Sequence, residues 1–411
     1  MRTATGLGDL SATLLLDPSV IDDPYSFYRR LVAEAPVWCV PGTKIVIVSS
    51  YDAVTEAVGR VEEFSSHLHS LVYRTAVGTP ELIPFDTGGV HTLATADPPV
   101  HAAHRATVFP ELVSSRMEAL RTNIEALAEN YLANALAKPQ FEVMGDLANP
   151  IPIRVVNQLI GFEDADPDQL LAAAFDSTAM LAATQPLEAI QAAMVRSAEI
   201  VSWIGDQLRR AAGCGGDGIL GVIGAAVAAD DLDLGDGLVI MATLLSAGGE
   251  STTSLLGNAV HILADHPRLQ ARLRADPQLV TPFIEEALRL ESPFRYHLRH
   301  VTRATDLDGV PIAEGSTVLL FWGAANRDPA EYERPDDVVL DRPAPRHHLA
   351  FGRGIHLCVG APLARLEAHV ILTQLLARTE HFSLDLAHPP TRVNSLMVRR
   401  FDTLPVVVTS P

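Results

Sequence analysis

Phe351-Gly352-Arg353-Gly354-Ile355-His356-Leu357-Cys358-Val359-Gly360 runs directly into a predicted helix that starts near Pro362. It is a glycine-rich loop with a single thiol near its end, placed at a helix N-terminus. Loop N–H groups and the positive end of the helix dipole both favour S⁻ over SH. Gly352, Gly354 and Gly360 permit close backbone approach and positive φ, which a bulky planar ligand lying on the loop would require. A thiolate held this way is the iron ligand expected of a haem protein that activates dioxygen. The competing reading of an isolated cysteine is a buried structural thiol beside a turn.

The rest of the chain suits a large globular protein. Its 411 residues are 48% hydrophobic and 6% aromatic, with Ala, Leu and Val dominant, which favours a mostly helical, well-buried fold. The net charge of −19 argues against nucleic acid or anionic membrane as the main partner. Cys39, Cys214 and Cys358 are far apart, with no C-x-x-C pair, which fits a reducing cytoplasm. Met1 to Asp17 holds one basic residue and no long apolar run, so neither a signal peptide nor a membrane anchor is expected.

Asp23-Pro24-Tyr25 opens a short helix with Phe27, Tyr28, Leu31 and Val32 on one face, stopping before Pro36. Val37 to Val40 and Lys44 to Val48 read as two strands around a Pro-Gly turn. Residues 100–290 are largely helix-patterned, broken at Pro150, Pro152, Gly161, Pro167, Pro186 and Gly213 to Gly218. Short strands return at about 298–320 and 392–409. The longest predicted helix covers Leu234 to Asp265, apolar almost all round and therefore buried. His266-Pro267 ends it.

Its middle is polar: Ala247-Gly248-Gly249-Glu250-Ser251-Thr252. Two glycines inside a helix cost about 1 kcal/mol each relative to alanine. A carboxylate and hydroxyls in an apolar helix are costly unless satisfied. A glycine-lined helix crossing with solvated polar residues is the plain reading; a functional groove, opened by hydroxyls bonding back to the preceding turn, is the other. Glu286-Ala287-Leu288-Arg289 places an acid and a base on one helix face.

Together these segments resemble the cytochrome P-450 superfamily. The loop matches at Phe351, Gly352, Gly354, His356, Cys358 and Gly360, and Ala247 to Thr252 is similar to the oxygen-activating helix. Glu286 and Arg289 match the Glu-x-x-Arg signature. The similarity runs from Asp23-Pro24-Tyr25 to Leu404-Pro405-Val406 and looks most like an actinobacterial, mycobacterial-type branch of poorly defined substrate.

The resemblance implies a predominantly α, α+β fold in one domain over residues 1–411. A small strand-rich part is expected at about 37–50, 298–320 and 392–409. The large helical part is expected at about 100–290 and 360–378. It also implies haem b (iron protoporphyrin IX) with Cys358 as axial iron ligand. Phe351, Gly352, His101, Arg105, Arg299 and His348 would bind the cofactor, the four cations serving its propionates. Zinc on His347, His348, His356 and Cys358 competes, without a compact ligand spacing. Arg342 is expected to complete a buried network with Glu286 and Arg289.

Two departures stand out. Ser251 replaces the usual threonine of the catalytic set Glu250, Ser251 and Thr252, so Thr252 is a second candidate hydroxyl. Arg400 stands where glycine normally follows Arg399. The substrate pocket is expected to draw on Val72 to Val90, about 165–200, Leu244, Ala247, Gly248, Phe294, Arg295, His297, Leu396 and Met397. Arg295 and His297 would either anchor a polar substrate group or simply reach haem or solvent.

The implied activity is that of a monooxygenase inserting one oxygen atom of O2 into an apolar small molecule. Electrons would come from NAD(P)H through a ferredoxin and its reductase. Peroxide-dependent or non-oxidative haem-thiolate chemistry, or a haem-thiolate binding or sensor role, are the alternatives.

Overall fold

A computed structural model describes residues 10–85 and 90–409. Residues 86–89, within the expected pocket segment, and residues 1–9 lie outside this description.

The fold is organised around the helix Leu234–Asp265, whose 32 residues extend roughly 48 Å at about 1.5 Å per residue. Residues 252–260 of this helix are all buried, as an all-round apolar pattern requires. It packs against the helices Pro150–Ile160, Pro167–Ala179, Leu187–Cys214, Val280–Leu290 and Ala361–Arg378, with which it shares one large apolar core.

Proline and glycine punctuation decides where these helices begin and end. Pro150 and Pro167 each occupy the first helical position, where a missing N–H costs nothing. Pro152 therefore does not break the chain; it sits in the first turn of Pro150–Ile160, still free of an intrahelical partner. Gly161 closes that helix at φ 90°. Added there, a Cβ would come within 2.3 Å of the Asp217 carbonyl oxygen.

Strands gather beside the helical mass. A five-stranded sheet has the order Val37–Cys39, Ile45–Val48, Thr317–Leu320, His297–Val301, Phe64–Ser65. Thr317–Leu320 runs parallel to Ile45–Val48 and antiparallel to His297–Val301. Pro405–Thr409 pairs with both His381–Leu384 and Gln140–Glu142. A hairpin, Ser70–Arg74 with Pro80–Pro84, lies outside the strand-rich segments expected from sequence, as does Gln140–Glu142. Both are too short to show a period.

Among the described residues no single helix is long and apolar enough to cross a membrane; Leu187–Cys214 and Gly218–Ala228 reach that mark only as a pair bent by 67°.

Candidate active site

The cysteine loop is shaped by two left-handed glycines, Gly352 at φ 68° and Gly354 at φ 71°. These let the chain double back so that the Cys358 N–H donates to the Phe351 carbonyl at 2.9 Å. Gly360 caps the helix Ala361–Arg378. The N–H groups of Gly360 and Ala361 point at Cys358 Sγ. Burial pushes the thiol's pKa up, and these two donors, with Arg365 and Arg105, oppose that only in part. Cys358 is deep in the protein, yet its side chain is exposed. That combination marks a side chain facing an internal space. Phe351 packs behind the loop, with the Arg365 guanidinium 4.5 Å from its ring centre.

Beside this loop stand four basic side chains, Arg299, His101, His356 and Arg105, with Asp97 the carboxylate acting on the first three. Arg299 is 8% exposed, donates to the Leu298 carbonyl at 2.7 Å, and has no carboxylate within ion-pair distance among the described residues. Burial lowers its pKa to about 10, and Asp97, too far away for an ion pair, offsets this only in part. His101 and His356 lie ring to ring at 4.3 Å, and Ser66 Oγ is 2.9 Å from His356 Nε2. Arg105 donates to the carbonyls of Ile355 and Leu357, bracing the loop. His356 is held at about 3, chiefly by burial and then by Arg299 and His101. A thiol with converging N–H donors, an open space before it, and a buried unpaired arginine at its side fit haem and its acidic propionates.

His348 belongs elsewhere, and the sequence expectation for it is corrected. Its Nε2 lies 2.9 Å from Glu285 Oε2. Its Nδ1 accepts from the Ala350 N–H at 3.3 Å, so Nε2 carries the proton and donates to the carboxylate. Arg365 donates to both Glu285 oxygens. The side chain that joins His101, Arg105 and Arg299 is instead His356, a neutral imidazole. Its signal was in the loop itself, two residues before Cys358.

Between residues 242 and 251 of the central helix, all but 245, 249 and 250 are incompletely buried, and Ala247 is exposed. An exposed alanine in the middle of a core helix faces an internal opening. Ser251 shares that face and donates to the Ala247 carbonyl at 2.7 Å. Thr252, about 100° further round, is buried at 4%, so Ser251 is the hydroxyl presented to the opening and Thr252 is set aside. Gly248 and Gly249 serve close packing. A Cβ on Gly248 would meet Val156 Cγ2 at 2.6 Å, and one on Gly249 would meet Ala174 Cβ at 2.9 Å. Glu250 is buried; Arg400 Nε donates to its Oε1 at 2.7 Å and Thr178 Oγ1 to its Oε2 at 2.8 Å.

Glu286, Arg289 and Arg342 meet. Glu286 Oε1 accepts from Arg289 Nε at 2.7 Å and Arg342 Nε at 2.9 Å, and Oε2 accepts from Arg289 at 3.0 Å and from the Val339 N–H at 2.8 Å. Arg289 also donates to the carbonyls of Asn326, Pro335 and Asp337. One ion set thus fastens the helix Val280–Leu290 to the segment leading into the cysteine loop.

Of the expected pocket residues, Phe294, Leu396 and Met397 share an apolar cluster with Val72, Leu82 and Leu181. Leu244 and Ala247 lie on the open helix face. Arg295 does not join them. It is 3% exposed and donates to the carbonyls of Ile21, at 2.9 Å, and Ser395, so it ties three segments together rather than facing a substrate. His297 Nδ1 accepts from Trp322 Nε1 at 2.6 Å, and burial lowers its pKa to about 4. It is neutral and offers no cation to an acidic substrate.

Comparison with known proteins gives one consistent picture. The family model for Cytochrome P450 matches residues 228–401. Cytochrome P450 144 of Mycobacterium tuberculosis is 41% identical over 390 residues, 94% of this chain and 89% of the relative. Beta-dihydromenaquinone-9 omega-hydroxylase of Mycobacterium bovis is 31% identical over 96% of this chain and 78% of its own length. Among solved structures, CYP109E1 from Bacillus megaterium, crystallised with testosterone, is similar with a TM-score of 0.83 and 26% identity, covering 95% of this chain and 99% of that one.

Proposed function

This chain belongs to the cytochrome P450 family, and from that premise we propose a substrate class, an electron source and roles for its site residues. It is a monooxygenase of bacterial, actinobacterial type whose cofactor is haem b and whose co-substrate is O2.

Bound haem supplies dioxygen activation and oxygen insertion. Cys358 would hold its iron as a thiolate, stabilised by the N–H groups of Gly360 and Ala361. Arg299, His101, Arg105 and His356 would pair with the propionates. Ser251 hands protons towards the opening, with Glu250 behind it as the acid. Phe294, Leu396, Met397, Leu244 and Ala247 exclude water and receive an apolar molecule. A relative named for a menaquinone ω-hydroxylation and a structural neighbour crystallised with testosterone support an apolar substrate. Electrons enter from a ferredoxin reduced by an NAD(P)H-dependent reductase. The three free cysteines support a reducing, cytoplasmic setting.

The observation that carries the site reading is the Cys358 thiol facing an internal space, in a loop whose His356 lies by Arg299, a buried arginine in no ion pair among the described residues. The reduced carbon monoxide adduct of the purified protein should show the red-shifted Soret band of thiolate ligation. Cys358→Ala should abolish it. Retention of the band would assign the ligand to Cys39 or Cys214 and sink this reading.

A further inference from the structure

The chain ahead of the last strands carries adjacent arginines, and they turn opposite ways. Successive side chains of an extended segment point to opposite faces. Arg399 donates to Glu291 at 2.9 Å. Arg400 reaches the central helix and donates to Glu250 at 2.7 Å, its guanidinium 3.9 Å from the Phe175 ring centre. The other Glu250 oxygen accepts from Thr178 on the helix Pro167–Ala179. The acid beside Ser251 is therefore held from two elements at once. Among the described residues, Arg400 is the one charged group acting on it and Thr178 the one hydroxyl.

Thr178 has more acceptors than protons. Its Oγ1 lies 2.8 Å from Glu250 Oε2, 3.1 Å from the Phe175 carbonyl and 3.3 Å from the Ala174 carbonyl. A hydroxyl donates one proton and accepts through two lone pairs. Opposite an ionised Glu250 it donates to Oε2. Opposite a protonated Oε2 it can rotate its hydrogen to Phe175 and accept from the acid. Both charge states of Glu250 thus keep a hydrogen-bond partner with no heavy atom moved.

We propose that Arg400 and Thr178 are positioning residues for proton transfer through Glu250: Arg400 fixes the carboxylate's orientation and favours its charged form, and the Thr178 hydroxyl turns to accommodate the protonated form. For each proton passed on, the acid takes one from solvent and releases one, so the set returns to its starting charge. Burial alone drives Glu250 towards the neutral acid, and Arg400 and Thr178 oppose that. Any arginine–carboxylate pair favours the ionised acid; a merely structural pair would leave the pH limb of turnover where it is. The proposal rests on the reading of Glu250 as the proton-delivering acid.

The test uses the haem-loaded full-length protein with Arg400→Gln, Arg400→Lys, Thr178→Val, Thr178→Ser and Glu250→Gln. The first readout needs no turnover: an infrared pH titration of the protonated carboxyl band that Glu250→Gln removes. Arg400→Gln and Thr178→Val should each move that titration to higher pH, while Arg400→Lys and Thr178→Ser restore it. The second is product formed per NAD(P)H across pH. Its limb should move the same way in Arg400→Gln, with the substrate KM unchanged. Glu250→Gln should slow product formation on the order of 10²-fold. An unshifted infrared titration in both Arg400→Gln and Thr178→Val overturns the proposal, as does lowered melting temperature with an unshifted pH profile. Normal coupling in Glu250→Gln overturns the reading of the acid itself, and is recognised because the infrared shift then persists without any kinetic effect. Should Arg400→Gln fail to fold, Thr178→Val carries the same comparison.

Discussion

At the residue scale, chemistry is set by which way single side chains face. Ser251 lies on the open face of the helix, its hydroxyl bonded back to the Ala247 carbonyl, while Thr252 is turned into the core. Ser251→Ala should therefore waste reductant as hydrogen peroxide, Thr252→Ala should not, and Ser251→Thr should be tolerated. General acid–base contributions of roughly 10²–10⁴-fold make the loss easy to see when product and peroxide are counted per NAD(P)H. Equal effects from Ser251→Ala and Thr252→Ala would reject the assignment. Sequence placed both hydroxyls here but left the choice open, because register against Pro267 counts residues and does not give the rotation of the helix against its neighbours. The same limit explains His348 and His356. Both lie close to Cys358 in sequence, and only the fold shows that one meets Glu285 and the other the cations. Arg295 and Arg400 were also legible as unusual, but their partners, the Ile21 carbonyl and Glu250, are distant in the chain.

At the scale of elements, the helix Val280–Leu290 is the anchor, because its two consecutive acids serve two different segments. Glu286 holds Arg289 and Arg342, both side chains 10% exposed or less. Glu285 holds His348 and Arg365, and through Arg365 the helix after the cysteine. Sequence predicted the first network from the i,i+3 spacing of Glu286 and Arg289. The second has no spacing signature, since Arg365 lies 80 positions away. Truncating Glu286 leaves two cations uncompensated, a loss of about 3–5 kcal/mol. Glu286→Ala should lose haem and melt well below the wild type; an unchanged melting temperature with full haem content would place the pair outside any load path. Glu285 adds a pH dependence. Burial raises its pKa, but the hydrogen bonds from His348 and Arg365 outweigh this and hold it at about 2, below its ordinary 4.5. A lowered carboxyl contributes stability above its unfolded pKa and loses it as pH falls through the folded one. Melting temperature should therefore drop between about pH 4.5 and 2, and Glu285→Gln, already less stable at pH 7, should flatten that drop.

At the scale of the whole molecule, charge is distributed unevenly. The chain carries −19 overall, yet the surface around the cysteine loop gathers cations. Arg353 is exposed in the loop itself, and Arg346, 3.5 Å from Glu285, has 67% of its side chain in solvent. Arg353 is steadied by the Tyr51 hydroxyl at 3.2 Å, and Tyr51 is anchored to the His347 carbonyl at 2.8 Å. A positive patch on an acidic protein repels most acidic partners everywhere except at that patch. It therefore selects orientation as much as it attracts. This is the face nearest Cys358, so an acidic ferredoxin docked there would have a short path to the cofactor. Steering of this kind raises association rates by roughly 10–10³-fold at low salt and fades as the Debye length falls to about 8 Å at physiological ionic strength. Reduction of the haem-loaded protein by an acidic ferredoxin, followed by stopped flow, should slow steeply with added salt. Arg353→Glu and Arg346→Glu should each lower the second-order rate several-fold at low salt and flatten its salt dependence, leaving the Soret spectrum and melting temperature unchanged. A rate insensitive to both salt and charge reversal would place the electron donor on another face, and the patch would then have no part in electron entry.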